Sequence, residues 1–346
     1  MPNKWKAGLV LIAKPETRLR WVPLVGAFDI KPDSVTFKGR SIEPESVPQG
    51  QQPPTSPPVK LAAVGLLASN RVLADGRLGA RVRFADVSPN TVFEFALGRD
   101  LERQNFVSAG VGGGASAFGI REIGPPPNPT AETAPKVWTF HRGAGERSFV
   151  ERDREYEVQV TLEGGQISLR IDTVPVATTV VPTLRGGPLQ VGLFLMNEHE
   201  IVVSAIEIQP KTPKAFVVMP FSGEFDELHQ YVIREACKTF EVFALRADEM
   251  AGPGVVIDDI VREIEASRLI IAEITHANPN VFFEIGYARA VGKPIVLLAQ
   301  KGTKPPFDIA GFRVIFYEDT IGGKARLDEG LKKHIAEVLF GYPSFS

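Results

Sequence analysis

The feature that most constrains this chain is a change of hydrophobic period near residue 210. Before it, apolar and polar residues alternate with a period of two, which is typical of half-buried antiparallel strands. After it, short apolar runs alternate with helical patterns, which indicates βαβ units and a parallel sheet. We therefore predict an all-β antiparallel sandwich over 1–210, a polar linker at 211–214 and an α/β domain over 215–346.

The first domain is predicted from its period-two runs. The clearest of these runs are 78–84, 92–98, 156–162, 167–172 and 201–208. The segment 163–166 reads as a tight hairpin connection between two of them. Two proline-rich segments, 44–58 and 124–135, are predicted to be extended, solvated loops.

The order of these strands, with the late apolar run 189–194 before a final strand, resembles the concanavalin-like jelly roll of lectin and laminin-G-like modules. The resemblance covers roughly residues 60–208 and is one of pattern. It implies that carbohydrate or another ligand binds a concave sheet face. The alternative is a sandwich that serves only interaction or oligomerisation.

The second domain is predicted to be a flavodoxin-like α/β fold with a five-stranded parallel sheet. Its predicted strands are 215–219, 241–245, 268–274, 294–299 and 313–317. Its predicted helices are 224–240, 255–266, 279–291 and 323–339. No internal repeat is visible in either domain.

Composition narrows the functional classes. The net charge of −2 comes without a cationic stripe, which disfavours binding to nucleic acid or to an anionic membrane. The single cysteine, Cys237, excludes an intramolecular disulfide, and no grouping of ligating residues has the spacing of a metal site. No apolar run reaches the ~18 residues of a membrane helix, and the patch 7–13 lacks a signal-peptide cleavage site. We predict a cytoplasmic protein without a metal.

The strongest candidate for chemistry is the segment 278–288, which follows a buried strand. Asn278 and Pro279 predict a helix start, because Asn caps free N–H groups and Pro has no N–H to leave unpaired. In this helix Glu284 shares a face with Asn280 and Tyr287. The core-facing stripe is predicted to be Val281, Ile285 and Ala288.

Glu284 is therefore predicted to face the crevice beyond the carboxyl ends of the strands, where open α/β sheets bind ligands. Gly286 inside the helix is read as a close approach of another backbone or a ligand. The alternative for Glu284 is a carboxylate that only favours the positive end of a helix.

Over about residues 214–340 the sequence resembles the bacterial TIR-like family related to nucleoside 2-deoxyribosyltransferases. The segments that carry the resemblance are 216–221, 260–267, 271–275, 278–288, 292–294 and 306–309. The resemblance implies that Glu284 is the catalytic carboxylate in cleavage of an N-glycosidic bond. Glu273 stands where the family usually has Asp, which is a departure from the family pattern. Asn278-Pro279-Asn280 stands where the deoxyribosyltransferases carry an Asp-x-Gly-Thr segment, which favours the TIR-like branch.

Position and resemblance together give the predicted substrate-binding residues. They are Pro220, Phe221, Ser222, Asp248, Glu273, Asn280 and Tyr287. For Asp248 the alternative is a surface ion pair with Arg246, and for Ser222 it is an ordinary βα turn. His276 is a weaker candidate, and His229 and Lys293 are read as helix-face and turn residues.

Cleavage of a base–sugar bond builds positive charge at the anomeric carbon, which a nearby carboxylate stabilises. The nicotinamide of NAD is already cationic and leaves without a proton, so no second acid is required. The resemblance and this chemistry together predict an N-glycosidase that cleaves NAD or a related nucleotide as its substrate and needs no cofactor. The family resemblance suggests bacterial antiphage defence, with homo-oligomerisation on activation.

In that hypothesis the first domain senses a small-molecule, glycan or protein trigger. Two alternatives remain open for the second domain. One is deoxyribosyl transfer or nucleotide hydrolysis in base salvage, and the other is a non-catalytic module that binds a nucleotide signal.

Overall fold

The structure is a computed structural model that describes residues 18–39, 63–126, 135–185, 187–250, 256–309 and 311–340. The predicted loop 44–58 and the N-terminal patch 7–13 lie outside these residues, as does most of the predicted loop 124–135.

The first part of the chain forms fourteen described strands. In chain order they are β1 (Trp21–Val25), β2 (Phe28–Ile30), β3 (Ser34–Phe37), β4 (Ala63–Leu73), β5 (Asp75–Phe84), β6 (Val92–Asp100), β7 (Asn105–Gly112), β8 (Ser116–Gly124), β9 (Val137–Glu146), β10 (Glu155–Glu163), β11 (Gln166–Ile171), β12 (Val174–Val180), β13 (Leu189–Asn197) and β14 (Ile201–Lys211). They form two seven-stranded antiparallel sheets. The strand orders are β1-β4-β13-β6-β7-β8-β9 and β12-β11-β10-β5-β14-β3-β2.

The two sheets pack face to face, because alternate side chains of each strand are apolar and point inward. In β10 the inward residues Tyr156, Val158 and Val160 are buried, whereas Glu155 and Glu157 are exposed. The hairpin predicted at 163–166 joins β10 to β11. The predicted antiparallel sandwich is therefore confirmed.

The second part of the chain alternates strands and helices. Its strands are β15 (Lys214–Val218), β16 (Phe243–Arg246), β17 (Leu269–Glu273), β18 (Ile295–Gln300) and β19 (Val314–Tyr317). Its helices are α1 (Gly223–Leu228), α2 (Arg234–Lys238), α3 (Val256–Ala266), α4 (Pro279–Ala290) and α5 (Ile321–Phe340). A π-helical turn, His229–Ile233, joins α1 to α2. Short 3-10 turns lie at Arg147–Phe149, Pro182–Arg185, Ala247–Glu249 and Phe307–Ile309.

The five strands β15–β19 form one parallel sheet in the order β16-β15-β17-β18-β19. The predicted five-stranded parallel sheet is thus confirmed. Alternation along the strands divides the core into two layers. Val217 and Ile271 face α1, α2 and α5, whereas Phe216 and Ile270 face α3 and α4.

The sandwich contacts the parallel sheet at its amino edge, where the strands begin. Arg268, directly before β17, bonds to Asp75 at the start of β5. Only residues 212–213 separate β14 from β15, so the connection is shorter than the predicted linker. The carboxyl edge of the parallel sheet therefore lies at the end away from this contact. Among the described residues, no helix has the length and apolarity needed to cross a membrane.

Candidate functional site at the carboxyl edge of the parallel sheet

Helix α4 begins as its sequence predicts. The side chain of Asn278 accepts a hydrogen bond from the N–H of Asn280 at 2.9 Å, and Pro279 occupies the first turn. Because β17 precedes the helix, its start lies at the carboxyl edge of the sheet. This start places Glu284 about one and a half turns into the helix.

Glu284 lies on the buried stripe of α4, whereas Asn280, with which the sequence predicts a shared face, is exposed. Glu284 is 9% exposed and shares this stripe with Val281, Ile285 and Ala288. Burial raises its pKa to about 7, because a buried carboxylate loses hydration. Among the described residues its side chain has no hydrogen-bond partner. Glu284 is therefore a desolvated carboxyl group that ionises near neutral pH.

The reading of Gly286 as a point of close approach does not hold for protein neighbours. A Cβ built at Gly286 would have no described atom within 4 Å outside its own helix. The glycine faces open space on the side of α4 away from the sheet. This space leaves room for a ligand, but the described chain does not approach it.

Glu273, at the end of β17, is a second buried carboxyl group. One oxygen accepts hydrogen bonds from the backbone N–H of Thr275 at 2.8 Å and from the Thr275 hydroxyl. The other oxygen is buried without a partner among the described residues. Burial raises the pKa of Glu273, and burial together with this carboxyl group raises the pKa of Tyr317.

Glu273 and Glu284 lie on different faces of the sheet. Glu273 has the same parity in β17 as Ile271, whose layer packs on α5 and contains Tyr317. Glu284 belongs to α4 on the opposite layer. Glu273 therefore borders the carboxyl edge on the layer that contains Tyr317, on the other side of the sheet from α4.

The loop after β15 places Phe221 and Ser222 at the same edge. The N–H of Ser222 bonds to the carbonyl of Pro220 at 3.1 Å, which makes a tight turn before α1. The Phe221 ring is exposed, and the Arg246 guanidinium lies 5.9 Å from its centroid. The Ser222 side chain makes no capping bond to α1, so its hydroxyl is not used by the helix.

Asp248 is committed to an ion pair. The Arg246 guanidinium donates to Asp248 Oδ1 at 2.6 Å and to Asp226 at 2.8 Å. The hydrogen bonds from Arg246 hold the pKa of Asp248 below its usual range. The alternative that the sequence left open, a structural ion pair, therefore describes Asp248 in this structure. Arg246 is likewise occupied by two carboxylates.

Tyr287 and Asn280 are on α4 but do not converge with Glu284. The Tyr287 hydroxyl donates to Glu265 of α3 at 2.5 Å. The side chain of Asn280 is exposed in the first turn. Of the predicted binding residues, Asn280 and the loop 220–222 lie at the open carboxyl edge. The Tyr287 side chain instead connects α4 to α3 through its bond to Glu265.

Two polar residues that the sequence does not single out, Glu224 and Gln300, bridge the loops of this edge together with His276 and Thr275. Glu224 contacts His276 at 3.3 Å and accepts from the Gln300 side chain at 3.1 Å. The Gln300 N–H bonds to the Thr275 hydroxyl at 2.9 Å. These residues follow β15, β17 and β18, and their position just after predicted strands was the signal that could have found them.

No group of three metal-ligating side chains occurs within the described ranges. A cavity of about 590 Å³ lies elsewhere, between the sandwich and the amino edge, and none of the candidate site residues lines it. Its walls include Phe106, Leu184, Pro294 and Val338. The arrangement at the carboxyl edge thus offers a desolvated carboxyl group, polar loop residues and an exposed aromatic ring.

Comparison with known proteins gives distant structural likenesses. No family profile matches the chain, and no curated protein matches its sequence. A carbohydrate binding module, CBM66, from Bacillus subtilis is 10% identical, with a TM-score of 0.36, over 55% of this chain and 93% of that one. The laminarinase catalytic domain from Thermotoga maritima is 7% identical, with a TM-score of 0.34, over 57% and 94%.

A galectin, LEC-6, from Caenorhabditis elegans is 15% identical, with a TM-score of 0.25, over 38% of this chain and 82% of that one. Because all three TM-scores are below 0.5, these likenesses carry no argument about what this chain does. The sandwich is described from its own strands and registers.

Proposed function

We propose that the α/β domain is an N-glycosidase that cleaves the base–ribose bond of NAD or a related nucleotide, with Glu284 as its catalytic carboxylate. The observation that carries the proposal is the burial of Glu284 on a helix that starts at the carboxyl edge of a parallel sheet. Perturbed carboxyl groups at this edge of α/β folds are typical of active sites.

Two further features support the proposal. The strand order, with the second strand at the edge beside the first and the others following in sequence, matches the order that flavodoxin-like folds have, and it supports the proposed flavodoxin-like topology. The segment 278–288, which carries the TIR-like resemblance, supplies both the helix start and Glu284. In the setting that this resemblance suggests, the enzyme acts in bacterial antiphage defence under control of its sandwich.

In the proposed reaction the electron pair of the C1′–N bond passes to the nicotinamide ring, which leaves as a neutral base. The ionised Glu284 stabilises the resulting cation or bonds to C1′. Water then adds at C1′, displaces Glu284 where it has bonded there, and loses a proton, which yields ADP-ribose. A carboxylate at about 4 Å contributes on the order of 4 kcal/mol at an effective dielectric near 20, or about a thousandfold in rate.

Release of nicotinamide from NAD tests the proposal directly. We expect Glu284→Gln to abolish release and to leave the circular dichroism spectrum unchanged. The exposed carboxyl group of Glu337 on α5 supplies a matched control, because Glu337→Gln removes a carboxylate far from the carboxyl edge. Nicotinamide release at the native rate from Glu284→Gln would contradict the role of Glu284.

Two rival functions of the same site give different results. Deoxyribosyl transfer in base salvage predicts base exchange when a deoxynucleoside and a second base are supplied together. A non-catalytic module predicts nucleotide binding without release of any base at high protein concentration. Both experiments use the same purified chain.

We also propose that the sandwich binds a glycan on the sheet that carries β9. On β9 the rings of Trp138 and Phe140 are 40% and 49% exposed. The Arg121 guanidinium lies 3.9 Å from the centre of the Trp138 ring and pairs with the buried Glu94 at 2.8 Å. Phe194 packs on the same indole. Exposed rings held rigidly beside charged groups suit the face of a sugar.

Binding to a glycan array tests this second proposal. We expect Trp138→Ala to abolish any binding that the native chain shows. Phe149→Ala is the matched control, since this exposed ring lies in the turn after β9 and has no packed arginine. Equal binding by the native chain and by Trp138→Ala would contradict the assigned surface.

A further inference from the structure

The strand–helix unit β17–α4, which carries Glu284, is held at both of its amino-edge ends by cations. Arg268 directly precedes β17, and Lys293 follows α4 before β18 begins. Both side chains are buried, with exposures of 1% and 8%. A buried cation needs partners for its charge and its donors, and here the partners come largely from the sandwich.

Arg268 inserts its whole guanidinium group into the sandwich. Its Nε donates to Asp75 Oδ1 at 3.1 Å, its Nη1 to the carbonyl of Leu184 at 2.5 Å, and its Nη2 to the carbonyl of Ala74. Asp75 is itself 2% exposed. The guanidinium therefore joins two domains through one carboxylate and two backbone carbonyls.

Lys293 makes a second connection beside it. Its Nζ donates to the carbonyl of Gly164, in the hairpin turn of the sandwich, at 2.9 Å. It also donates to the carbonyls of Ser267, at 3.0 Å, and Glu265, at the end of α3. The N–H of Gly164 bonds to Asp75 Oδ1 at 2.8 Å, which links the two connections. We call Asp75, Gly164, Arg268 and Lys293 the interdomain latch.

The interdomain latch fixes the position of the sandwich relative to the α/β domain. A shift of the sandwich would take Arg268 away from the carboxylate and carbonyls that it bonds, and Lys293 away from the Gly164 carbonyl, which is unfavourable for buried charges. Lys293 would keep its bonds to the carbonyls of Ser267 and Glu265. A buried ion pair adds little stability compared with apolar packing, and its best-attested use is to fix one register. The latch therefore holds the ends of β17 and α4 in a defined place relative to the sandwich.

We propose that Arg268 and Lys293 are positioning residues for Glu284: through them the sandwich fixes the strand–helix unit β17–α4 and with it the environment of the carboxyl group. The catalytic part of this inference rests on the proposed function. The positional part concerns the burial of Glu284 alone.

The burial of Glu284 provides the readout. Its raised pKa has burial as the sole cause, with no contribution from a charged side chain on α3, β15, β17 or β18, which pack against α4. A displaced α4 admits water to the carboxyl group and lowers the pKa. The midpoint of Glu284 ionisation therefore reports the position of the helix without requiring turnover.

The experiment is an NMR titration of isotope-labelled glutamate carboxyl groups, with the Glu284 signal assigned from its absence in Glu284→Gln. The latch variants are Asp75→Asn, which keeps an oxygen for Gly164 and removes the charge opposite Arg268, and Lys293→Met. The control for general loss of stability is Leu193→Ala, in the sandwich core away from the latch.

We expect the midpoint of Glu284 to fall by about one pH unit in both latch variants and to stay at its native value in Leu193→Ala. An unchanged midpoint in both folded latch variants, or an equal fall in Leu193→Ala, overturns the inference. Absence of nicotinamide release from the native chain would instead contradict the proposed function, and the titration would still decide the role of the latch.

Discussion

The amino and carboxyl edges of the parallel sheet differ in whether their buried charged groups have partners. At the amino edge Arg268 is buried with a carboxylate and two carbonyls around it. At the carboxyl edge Glu284 is buried with no partner among the described residues, and Glu273 has one unpartnered oxygen. Paired buried charge fixes structure, whereas unpaired buried charge lowers stability and is retained at functional sites.

The largest effect on stability is expected from a substitution at the amino edge, and it tests the difference between the two edges directly. Arg268→Met leaves Asp75 buried without its cation and leaves two carbonyls without a donor. We expect a loss of about 3–5 kcal/mol in the free energy of unfolding, measured in urea. Arg262→Met, which removes an exposed partner of Asp259 on α3, is expected to change stability by less than ~1 kcal/mol. Equal losses of stability from both variants would show that the buried Arg268 contributes no more than an exposed ion pair.

The carboxyl edge is expected to show its difference through pH. The Glu284 pKa is raised from 4.5 to about 7 on folding, so the native state holds a proton that the unfolded state has lost. Stability from this group is present below pH 4.5 and is lost as pH rises through 7. The full loss is about 3 kcal/mol.

Glu284→Gln removes this dependence, so its stability relative to the native chain should rise by about that amount between acidic pH and pH 8. The measurement is urea unfolding of both proteins across the pH range. Glu337→Gln serves again as the exposed control, and its difference from the native chain should stay flat. A flat difference for Glu284→Gln as well would mean that the carboxyl group is hydrated.

The local features of the two edges could be predicted from the sequence, whereas helix orientation and the contacts between distant residues could not. The cap of α4 depends on Asn278 and Pro279, which are adjacent in the chain, so local rules find it. The burial of Glu284 depends on how α4 rolls on the sheet, which a short helix pattern does not fix. Arg268 and Asp75 are 193 residues apart, and neither has a local signal that names the other.

The same limit applies at the carboxyl edge. Glu224 and Gln300 are 76 residues apart and meet only because their loops follow strands that end at the same edge. The sequence predicts that Asp248 binds substrate, but in the structure Asp248 pairs with Arg246, two residues before it. The order of the strands predicts which loops meet, whereas the hydrogen-bond partner of each side chain is known only from the packed fold.

Two glycines extend the comparison to the backbone. Gly164 in the latch has a φ of +57°, and a Cβ there would lie 2.6 Å from the carbonyl oxygen of Glu265. Gly164→Ala therefore combines left-handed strain with a clash against α3, and we expect a loss of about 2 kcal/mol. Gly124, at the end of β8, has open space where a Cβ would lie, so Gly124→Ala is the control. Its midpoint of thermal unfolding should stay near that of the native chain.

Gly286 on α4 is expected to give the smallest effect and the opposite sign. Its Cβ would meet no described atom within 4 Å outside the helix, so alanine adds helix propensity without a clash. We expect Gly286→Ala to raise the free energy of unfolding by about 1 kcal/mol. If nicotinamide release falls while stability rises, the open space beside Gly286 is occupied by substrate. Unchanged release together with higher stability would place the substrate elsewhere along the carboxyl edge and leave Gly286 without a role in binding.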